Sequence, residues 1–98
     1  MMSKRHLILI KLDLDDGESS SETFATTLAL SLDWIELCPG MWLVYTTSSS
    51  KKWVERFRKK IGTSSRIFVI EVNPNDRAGR WATDVWQFIK DKQKKMTT

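Results

Sequence analysis

Two short segments, at residues 7–14 and 66–72, constrain the fold more than any other feature of this chain. Both read as β-strands that are apolar on their two faces, which is typical of strands inside a sheet that is covered on both sides. The first, LILIKLDL, is bounded by charged residues, and the second, RIFVIEV, leads into a polar turn at residues 73–76. We therefore expect two core strands that lie side by side in one sheet.

The sequence between these strands predicts a helix followed by a β-hairpin. An apolar stripe at intervals of four residues, starting at Phe24, indicates a helix over residues 21–32. Two β-prone runs follow, and Pro39 and Gly40 between them favour a tight turn, because proline presets φ and glycine accepts a positive φ. The hairpin is expected over residues 34–47.

Two further helices are predicted in the second half of the chain. The serine tract at residues 48–50 offers hydroxyl caps for a helix that runs to Ile61, and Gly62 follows at the position of a C-cap glycine. A last amphipathic helix is expected over residues 81–92. The polar residues 92–98 are expected to fray.

The order strand, helix, strand, strand, helix, strand, helix predicts an α+β fold. Two split β-α-β units build the ferredoxin-like βαββαβ sandwich, in which two helices cover one face of a four-stranded antiparallel sheet. In that topology the first and third strands are central and the fourth lies beside the first. The extra C-terminal helix or a second copy of the chain would cover the opposite face, because a large uncovered apolar sheet is unusual in a monomer. We expect a homodimer.

The composition fits a single globular domain over residues 1–98. Apolar residues make up 41% of the chain and five tryptophans are present, which argues for a packed core. No apolar run approaches the roughly 20 residues of a membrane span, and the start of the chain lacks a signal-peptide pattern. Cys38 is the single cysteine, which excludes an internal disulfide and fits a reducing compartment, so we expect a cytoplasmic protein. Because no membrane span is predicted, we expect no membrane partner.

The tryptophans near the predicted elements fall into two groups. Trp53 and Trp81 lie on the apolar stripes of their helices and are predicted to pack in the core. Trp34 and Trp42 flank the hairpin turn and are better placed for an interface or for stacking on nucleic-acid bases.

Three carboxylates lie at the end of the first strand: Asp13 directly follows Leu12, whereas Asp15 and Asp16 lie beyond Leu14 in the turn. The single histidine, His6, precedes that strand and is interpreted as a solvated or edge residue rather than a base. A carboxylate at a rigid strand end can bind a divalent cation, but hard cations need several oxygen ligands. Two chains that meet at a dimer axis would each contribute one Asp to a Mg²⁺ site that activates water against a phosphodiester. The alternative is a polar loop after a core strand.

Positive charge is concentrated in the second half of the chain. Residues 1–50 contain three Lys/Arg and seven Asp/Glu, whereas residues 51–98 contain thirteen and five. Basic side chains on a helix attract phosphates without reading base sequence, so DNA or RNA is the expected partner. The alternative is a solvated helix face on which Glu55 and Lys59 form an ordinary ion pair. The candidate nucleic-acid-binding residues are Lys51, Lys52, Arg56, Arg58, Lys59, Lys60 and Arg66.

The stretch DWIELCPGMWLVYTTSSSKKWVERFRKKIGTSSRIFVIEV resembles the hairpin, second helix and last strand of the SinR-like family. The matching features are Trp34 with Trp42 eight residues later, a WLV-T strand that ends at Thr46, serines that open a helix, and the strand RIFVIEV. The segment RWATDVWQFIK resembles the C-terminal helix of these proteins. That family is itself similar to the small ferredoxin-fold CRISPR-associated protein that serves as the minor subunit of spacer acquisition.

The resemblance implies a ferredoxin-like homodimer that contacts nucleic acid. In the wider family the first strand often ends in Tyr-Asp, and that Asp is the proposed metal ligand of a nuclease; the matching pair here is Leu12-Asp13. Asp13 is therefore the implied catalytic and metal-binding residue, with Mg²⁺ as the cofactor. Two alternatives stay open: a non-catalytic dimeric scaffold or interaction protein, and a small endoribonuclease toxin of the VapD type.

Overall fold

The computed structural model describes residues 4–15 and 21–97, and within these ranges the chain forms four strands and three helices. The elements are β1 (His6–Asp13), α1 (Ala25–Leu28), β2 (Asp33–Cys38), β3 (Met41–Thr46), α2 (Ser50–Arg58), β4 (Arg66–Val72) and α3 (Thr83–Thr97). This order of strands and helices confirms the predicted one. Among the described helices, none is both long and apolar enough to cross a membrane.

The four strands form one antiparallel sheet with the order β2-β3-β1-β4. β1 pairs with β3 on one side and with β4 on the other, in a register that places Leu9 between Leu43 and Ile70. The prediction that the first and third strands are central, with the fourth beside the first, is confirmed. The α+β class is confirmed as well, and the sheet is compatible with the ferredoxin-like sandwich.

One face of the sheet packs against α1 and α2 and forms the core. Side chains alternate between faces along a strand, so Ile8, Ile10 and Leu12 of β1 share this face, and all three are buried. The core cluster consists of Ile8, Ile10, Leu12, Phe24, Leu28, Trp42, Val44, Trp53 and Phe57. The helices therefore take their positions from apolar side chains that meet those of the two central strands.

Trp42 lies at the centre of this core. Its ring centroid is 5.9 Å from that of Phe24 and 5.9 Å from that of Phe57. The indole N–H donates to Ser21 Oγ at 2.8 Å, and the Ser21 hydroxyl donates to Glu36 Oε1 at 2.6 Å. Because a buried N–H without a partner costs about 1–3 kcal/mol, these two hydrogen bonds allow the whole indole to be buried. The prediction that Trp42 serves an interface is wrong, since no part of its surface is exposed.

The β2–β3 hairpin turns at Pro39 and Gly40, as predicted. Gly40 has a φ of +83°, in the region that glycine adopts without a steric penalty. The Gly40 carbonyl accepts a hydrogen bond from the backbone N–H of Leu12 at 2.7 Å, which ties the turn to β1. The hairpin therefore rests against the central strand.

The first helix is much shorter than the spacing predicts, because α1 forms a single turn within the expected range of 21–32. The Ser31 hydroxyl donates to the Leu28 carbonyl at 2.6 Å, and the backbone N–H groups of Leu30 and Ser31 bond to carbonyls three residues earlier. These local bonds occupy acceptors that a longer α-helix would need. Leu32 consequently leaves the apolar stripe and is exposed.

α2 begins as predicted and ends earlier. The Ser49 hydroxyl oxygen accepts a hydrogen bond from the backbone N–H of Lys52 at 3.1 Å, so the serine tract supplies the N-cap. The helix ends at Arg58 rather than Ile61, where the Lys60 N–H turns back to the carbonyl of Phe57.

Gly62 does not act as a left-handed C-cap. The described glycines with positive φ are Gly40 and Gly79, and Gly62 is not among them. A Cβ atom at residue 62 would lie 2.8 Å from both carboxylate oxygens of Asp15, so a larger residue there would displace the Asp15 side chain.

The last helix begins two residues later than predicted and continues through Thr97, over most of the segment for which fraying was expected. Val85 and Lys92 are its buried side chains, while Phe88 and Ile89 are half-buried. Trp81 precedes the helix and is 53% exposed, so the prediction that it packs in the core is wrong. The same prediction is confirmed for Trp53, which is fully buried.

Lys92 links α3 to β2 at the edge of the sheet. Its ammonium nitrogen donates to Asp33 Oδ2 at 2.7 Å and to Asp91 Oδ2 at 2.9 Å, and it lies over the rings of Phe88 and Tyr45. Burial acts to lower the pKa of Lys92, but the hydrogen bonds to the two carboxylates outweigh it, and the pKa is raised. The hydrogen bond from Lys92 in turn lowers the pKa of Asp91. The contact is therefore an ion pair at neutral pH.

Candidate nucleic-acid interface

α2 carries a basic surface on the side that faces away from the core. Trp53 and Phe57 are fully buried on one side of the helix, which directs its charged residues outward. Four basic side chains and one carboxylate, that of Glu55, line a shallow depression of about 290 Å³. The basic residues of this α2 basic surface are Lys52, Arg56, Arg58 and Lys59.

Arg56 is the member of this surface that is held in place. The carbon at the centre of its guanidinium lies 4.7 Å from the ring centroid of Trp53, a cation–π contact worth about 0.5–1 kcal/mol at an exposed site. Its Nη1 is buried and has no hydrogen-bond partner among the described residues. Because Trp53 fixes the guanidinium, little side-chain entropy remains to be lost when an anion binds.

No ion pair joins the α2 basic surface to another residue in the described part of the chain. The Glu55–Lys59 pair that accompanied the alternative interpretation does not form, although the structure describes both residues; the solvated helix face itself stays an alternative. Charges without an intramolecular partner act on solvent ions and on any polyanion that approaches.

The other three predicted binding residues lie apart from this depression. Lys51 is exposed on α2 and Lys60 is exposed just after it. Arg66 starts β4 on the opposite face of the sheet, because its neighbour Ile67 packs against the core and successive strand residues alternate. The structure therefore brings together four of the seven predicted residues.

Asp13, the predicted catalytic residue, is paired with Arg66. The two residues are directly opposite in the β1–β4 register, and the Asp13 carboxylate accepts hydrogen bonds from Arg66 Nε at 2.9 Å and from Nη2. Because the Asp13 and Arg66 side chains are 55% and 82% exposed, the pair contributes at most about 1 kcal/mol to stability. Its main effect is local, since a predicted metal ligand and a predicted phosphate ligand neutralise each other.

Asp13 and Asp15, the two carboxylates of this group that the structure describes, have different partners. Asp15 accepts a hydrogen bond from Ser65 Oγ at 2.8 Å and lies against Gly62, and Asp16 is outside the described residues. Within residues 4–15 and 21–97, no group of three or more His, Cys, Asp or Glu side chains is arranged to hold a metal ion. Within the described ranges, Asp13 is therefore a single carboxylate that does not by itself make a complete Mg²⁺ site.

An apolar patch lies on β4, the outer strand of the described sheet. Phe68 and Ile70 project from the face opposite the core and are 55% and 46% exposed. α3 covers part of this face, where Lys92 meets Asp33 of β2 and lies over the ring of Tyr45 in β3. We refer to Phe68 and Ile70 as the β4 patch.

The tryptophan available for stacking is not one of those that the sequence indicated. Trp34 is half-buried and packs against the core cluster, whereas Trp81 is exposed. The signal that could have separated Trp81 from the helix is Thr83 followed by Asp84, since a hydroxyl residue and an acidic residue are typical of a helix start.

His6 is tied to the structure rather than solvated. Its Nε2–H donates to the Ser48 carbonyl at 2.7 Å, and its Nδ1 lies 3.6 Å from Glu71 Oε1. Cys38 has a free, half-buried thiol at the end of β2. Three of the outward-facing features among the described residues bear on the predicted site: the α2 basic surface, the Asp13–Arg66 pair and the β4 patch. Comparison with protein-family models, with curated proteins and with solved structures found no match to this chain.

Proposed function

We propose that this chain is a small nucleic-acid-binding protein of ferredoxin-like fold that acts as a homodimer, the role implied by its resemblance to the SinR-like family. The α2 basic surface is the observation that carries the proposal. Its four basic side chains share one depression and have no ion-pair partner among the described residues. Phosphate contacts of this kind supply affinity without sequence specificity.

The dimensions of α2 match a short stretch of phosphate backbone. Its nine residues span about 13 Å at about 1.5 Å per residue. Each strand of a DNA duplex carries one phosphate for about every 3.4 Å of the duplex axis, so the helix spans the axial length of about four phosphates of one strand. That number equals the number of basic side chains in the depression. The buried rings of Trp53 and Phe57 hold the helix in place, which limits the entropy lost on binding.

The proposal is tested by measuring the affinity for labelled duplex DNA and RNA over a range of salt concentrations. Four phosphate contacts predict a slope of log K against log salt of about −3 to −4, with equal affinity for scrambled sequences. Fluorescence anisotropy gives both quantities. Absence of binding, or an affinity that does not depend on salt, would contradict the proposal.

The β4 patch supports a homodimer in which β4 of one chain pairs with β4 of another. An outer strand has free backbone N–H and C=O groups, and two antiparallel copies would meet about a twofold axis perpendicular to the sheet. The β4 patches would then be neighbours across the axis. Since α2 packs beside β4 on the other face, both α2 basic surfaces would lie on the same side of one continuous sheet. The dimer would thereby double the basic surface.

Replacing Phe68 with lysine is expected to convert the dimer to a monomer, because two like charges would face each other across the axis. Phe68 is already half-exposed in the single chain, so the fold should persist. Sedimentation velocity measures the change. Leu30→Lys is the matched control, since Leu30 is 59% exposed in the connection between α1 and β2 and its replacement should leave the mass of the assembly unchanged. A Phe68→Lys variant that sediments like the unmodified protein would contradict this dimer.

Metal-dependent phosphodiester hydrolysis is the second candidate, and the observation that favours it is the half-exposed Asp13 carboxylate at the end of a central strand. The β4-paired dimer opposes it. In that dimer the two β1 strands are separated by both β4 strands, at roughly 4.8 Å per strand. Asp13 pairs with the first residue of β4, so antiparallel pairing would also place the two Asp13 residues toward opposite ends of the β4 pair, more than about 14 Å apart. One ion could not contact both carboxylates. We therefore place non-catalytic binding first.

The Asp13→Asn variant decides between the two candidates. The binding proposal expects unchanged affinity for nucleic acid and no Mg²⁺- or Mn²⁺-dependent cleavage by either protein. Catalysis would instead appear as cleavage that Asp13→Asn abolishes and that Asp76→Asn, a change in an exposed turn, retains. Arg66→Ala would then increase the cleavage rate, because it frees the Asp13 carboxylate. A toxin-type ribonuclease would also arrest growth when expressed.

A further inference from the structure

A second concave site lies on the opposite face of the sheet from α2. It is a groove of about 270 Å³ between the β2–β3 hairpin, the segment before α3, and α3 itself. Its lining is mostly apolar and includes two tryptophans and one arginine. The lining residues that matter here are Leu37, Met41, Leu43, Arg80, Trp81 and Trp86, and we call this site the tryptophan groove.

Trp81 forms a fixed aromatic wall of this groove. Its indole N–H donates to the Leu37 carbonyl at 3.2 Å, which satisfies the only polar atom of the side chain. About half of the side chain nevertheless remains exposed. Gly79 lies beside the ring of Trp86 with a φ of +142°, a backbone conformation that other residues rarely adopt. The ring of Trp81 is therefore positioned before any ligand arrives.

The charge of the groove indicates the kind of ligand. Arg80 carries the only charge among the described lining residues, directly beside Trp81. A flat ring would stack on the exposed indole, and an attached anion would reach the guanidinium. The volume is slightly below the range of about 300–1,000 Å³ that is usual for ligand pockets, so a single ring system fits better than a larger molecule.

We propose that the tryptophan groove binds one unpaired base of a single-stranded nucleic acid, with the neighbouring phosphate at Arg80. The inference rests on the proposed function but uses a different surface. Paired bases in a duplex do not expose their faces, so this groove would add affinity for single strands only. The α2 basic surface, in contrast, would contact single strands and duplexes alike.

The test compares a single-stranded oligonucleotide with a duplex of equal length by fluorescence anisotropy. Trp81→Leu keeps an apolar side chain but removes the aromatic face, and we expect it to weaken single-strand binding about tenfold and to leave duplex binding unchanged. Trp81→Phe should retain most of the affinity, and Arg80→Gln should weaken single-strand binding alone. Leu30→Ala removes exposed apolar surface elsewhere and should change neither affinity.

The outcomes separate this inference from the proposed function. If Trp81→Leu weakens neither affinity, or both equally, the groove proposal is overturned and the α2 proposal stands. If the unmodified protein binds neither oligonucleotide, both proposals fail. A change in sedimentation of Trp81→Leu without nucleic acid would show that a second copy of the chain occupies the groove, which also overturns the inference.

Discussion

Replacing Lys52, Arg58 and Lys59 with glutamine is expected to weaken binding to duplex and single-stranded nucleic acid on the order of 100-fold at moderate salt. Each of these side chains lines the α2 depression and lacks an ion-pair partner among the described residues, so each is free to contact a phosphate. The slope of log K against log salt should become less negative by about 3. Arg56 is retained because it packs on Trp53.

The matched control removes three charges from α3 instead. Lys90→Gln, Lys94→Gln and Lys95→Gln together lower the net charge by the same amount at a distance from the α2 depression. Anisotropy titrations of this variant should give nearly the affinity of the unmodified protein. If both triple variants lose affinity equally, net charge rather than the α2 basic surface determines binding, and our assignment of the site is wrong.

Trp42→Ala is expected to lower the free energy of unfolding by about 3–5 kcal/mol. The indole is fully buried between Phe24 and Phe57, and its removal would leave a cavity that rigid neighbours cannot close. The change would also leave the Ser21 hydroxyl without the indole donor. Because small domains have a total stability of about 5–15 kcal/mol, this variant would be close to the limit of folding. Urea unfolding followed by circular dichroism measures the loss.

Two variants make this prediction specific. Trp42→Phe keeps a ring and should lower the free energy of unfolding less than Trp42→Ala does, although it loses the hydrogen bond to Ser21. Trp81→Ala removes an indole that is half-exposed, so it should lower the free energy of unfolding by about 1 kcal/mol or less. Equal losses for Trp42→Ala and Trp81→Ala would contradict the assignment of Trp42 to the core.

The strands could be predicted because their signals are local. Residues 7–14 and 66–72 are apolar and short, and the observed strands His6–Asp13 and Arg66–Val72 differ from them by at most one residue at each end. Pro39 and Gly40 fix the hairpin because a tight turn depends on the φ of two adjacent residues. From these strands and the order of elements, the arrangement of the sheet follows.

The helix bounds and the tryptophans were harder to predict because they depend on competing contacts. The stripe from Phe24 to Leu32 has helical spacing, but the Ser31 hydroxyl bonds to the Leu28 carbonyl and the helix stops. Trp81 has the spacing of α3 yet precedes its first residue. Periodicity alone contains no information about which local hydrogen bond is formed.

The candidate site was predictable only in part. Trp53 and Phe57 are four residues apart, so the sequence already predicts that both lie on one side of α2. The basic side chains of α2 then share the other side. The pairing of Asp13 with Arg66 joins residues more than fifty positions apart, so it depends on the tertiary arrangement. The groove beside Trp81 likewise requires the hairpin and α3 to be in place.

The Asp13–Arg66 pair also marks the alignment of β4 against β1. A shift of β4 by one residue would turn every side chain of that strand to the other face. Phe68 and Ile70 would then point into the core, and Ile67 and Val69, which now pack there, would point to the solvent. All four are apolar, so burial alone discriminates weakly between the two alignments. Arg66 adds to the discrimination, since the shift would move its charge toward the core side and separate it from Asp13. An exposed ion pair of small energetic value can thus specify which apolar side chains this protein buries and which it presents to a partner.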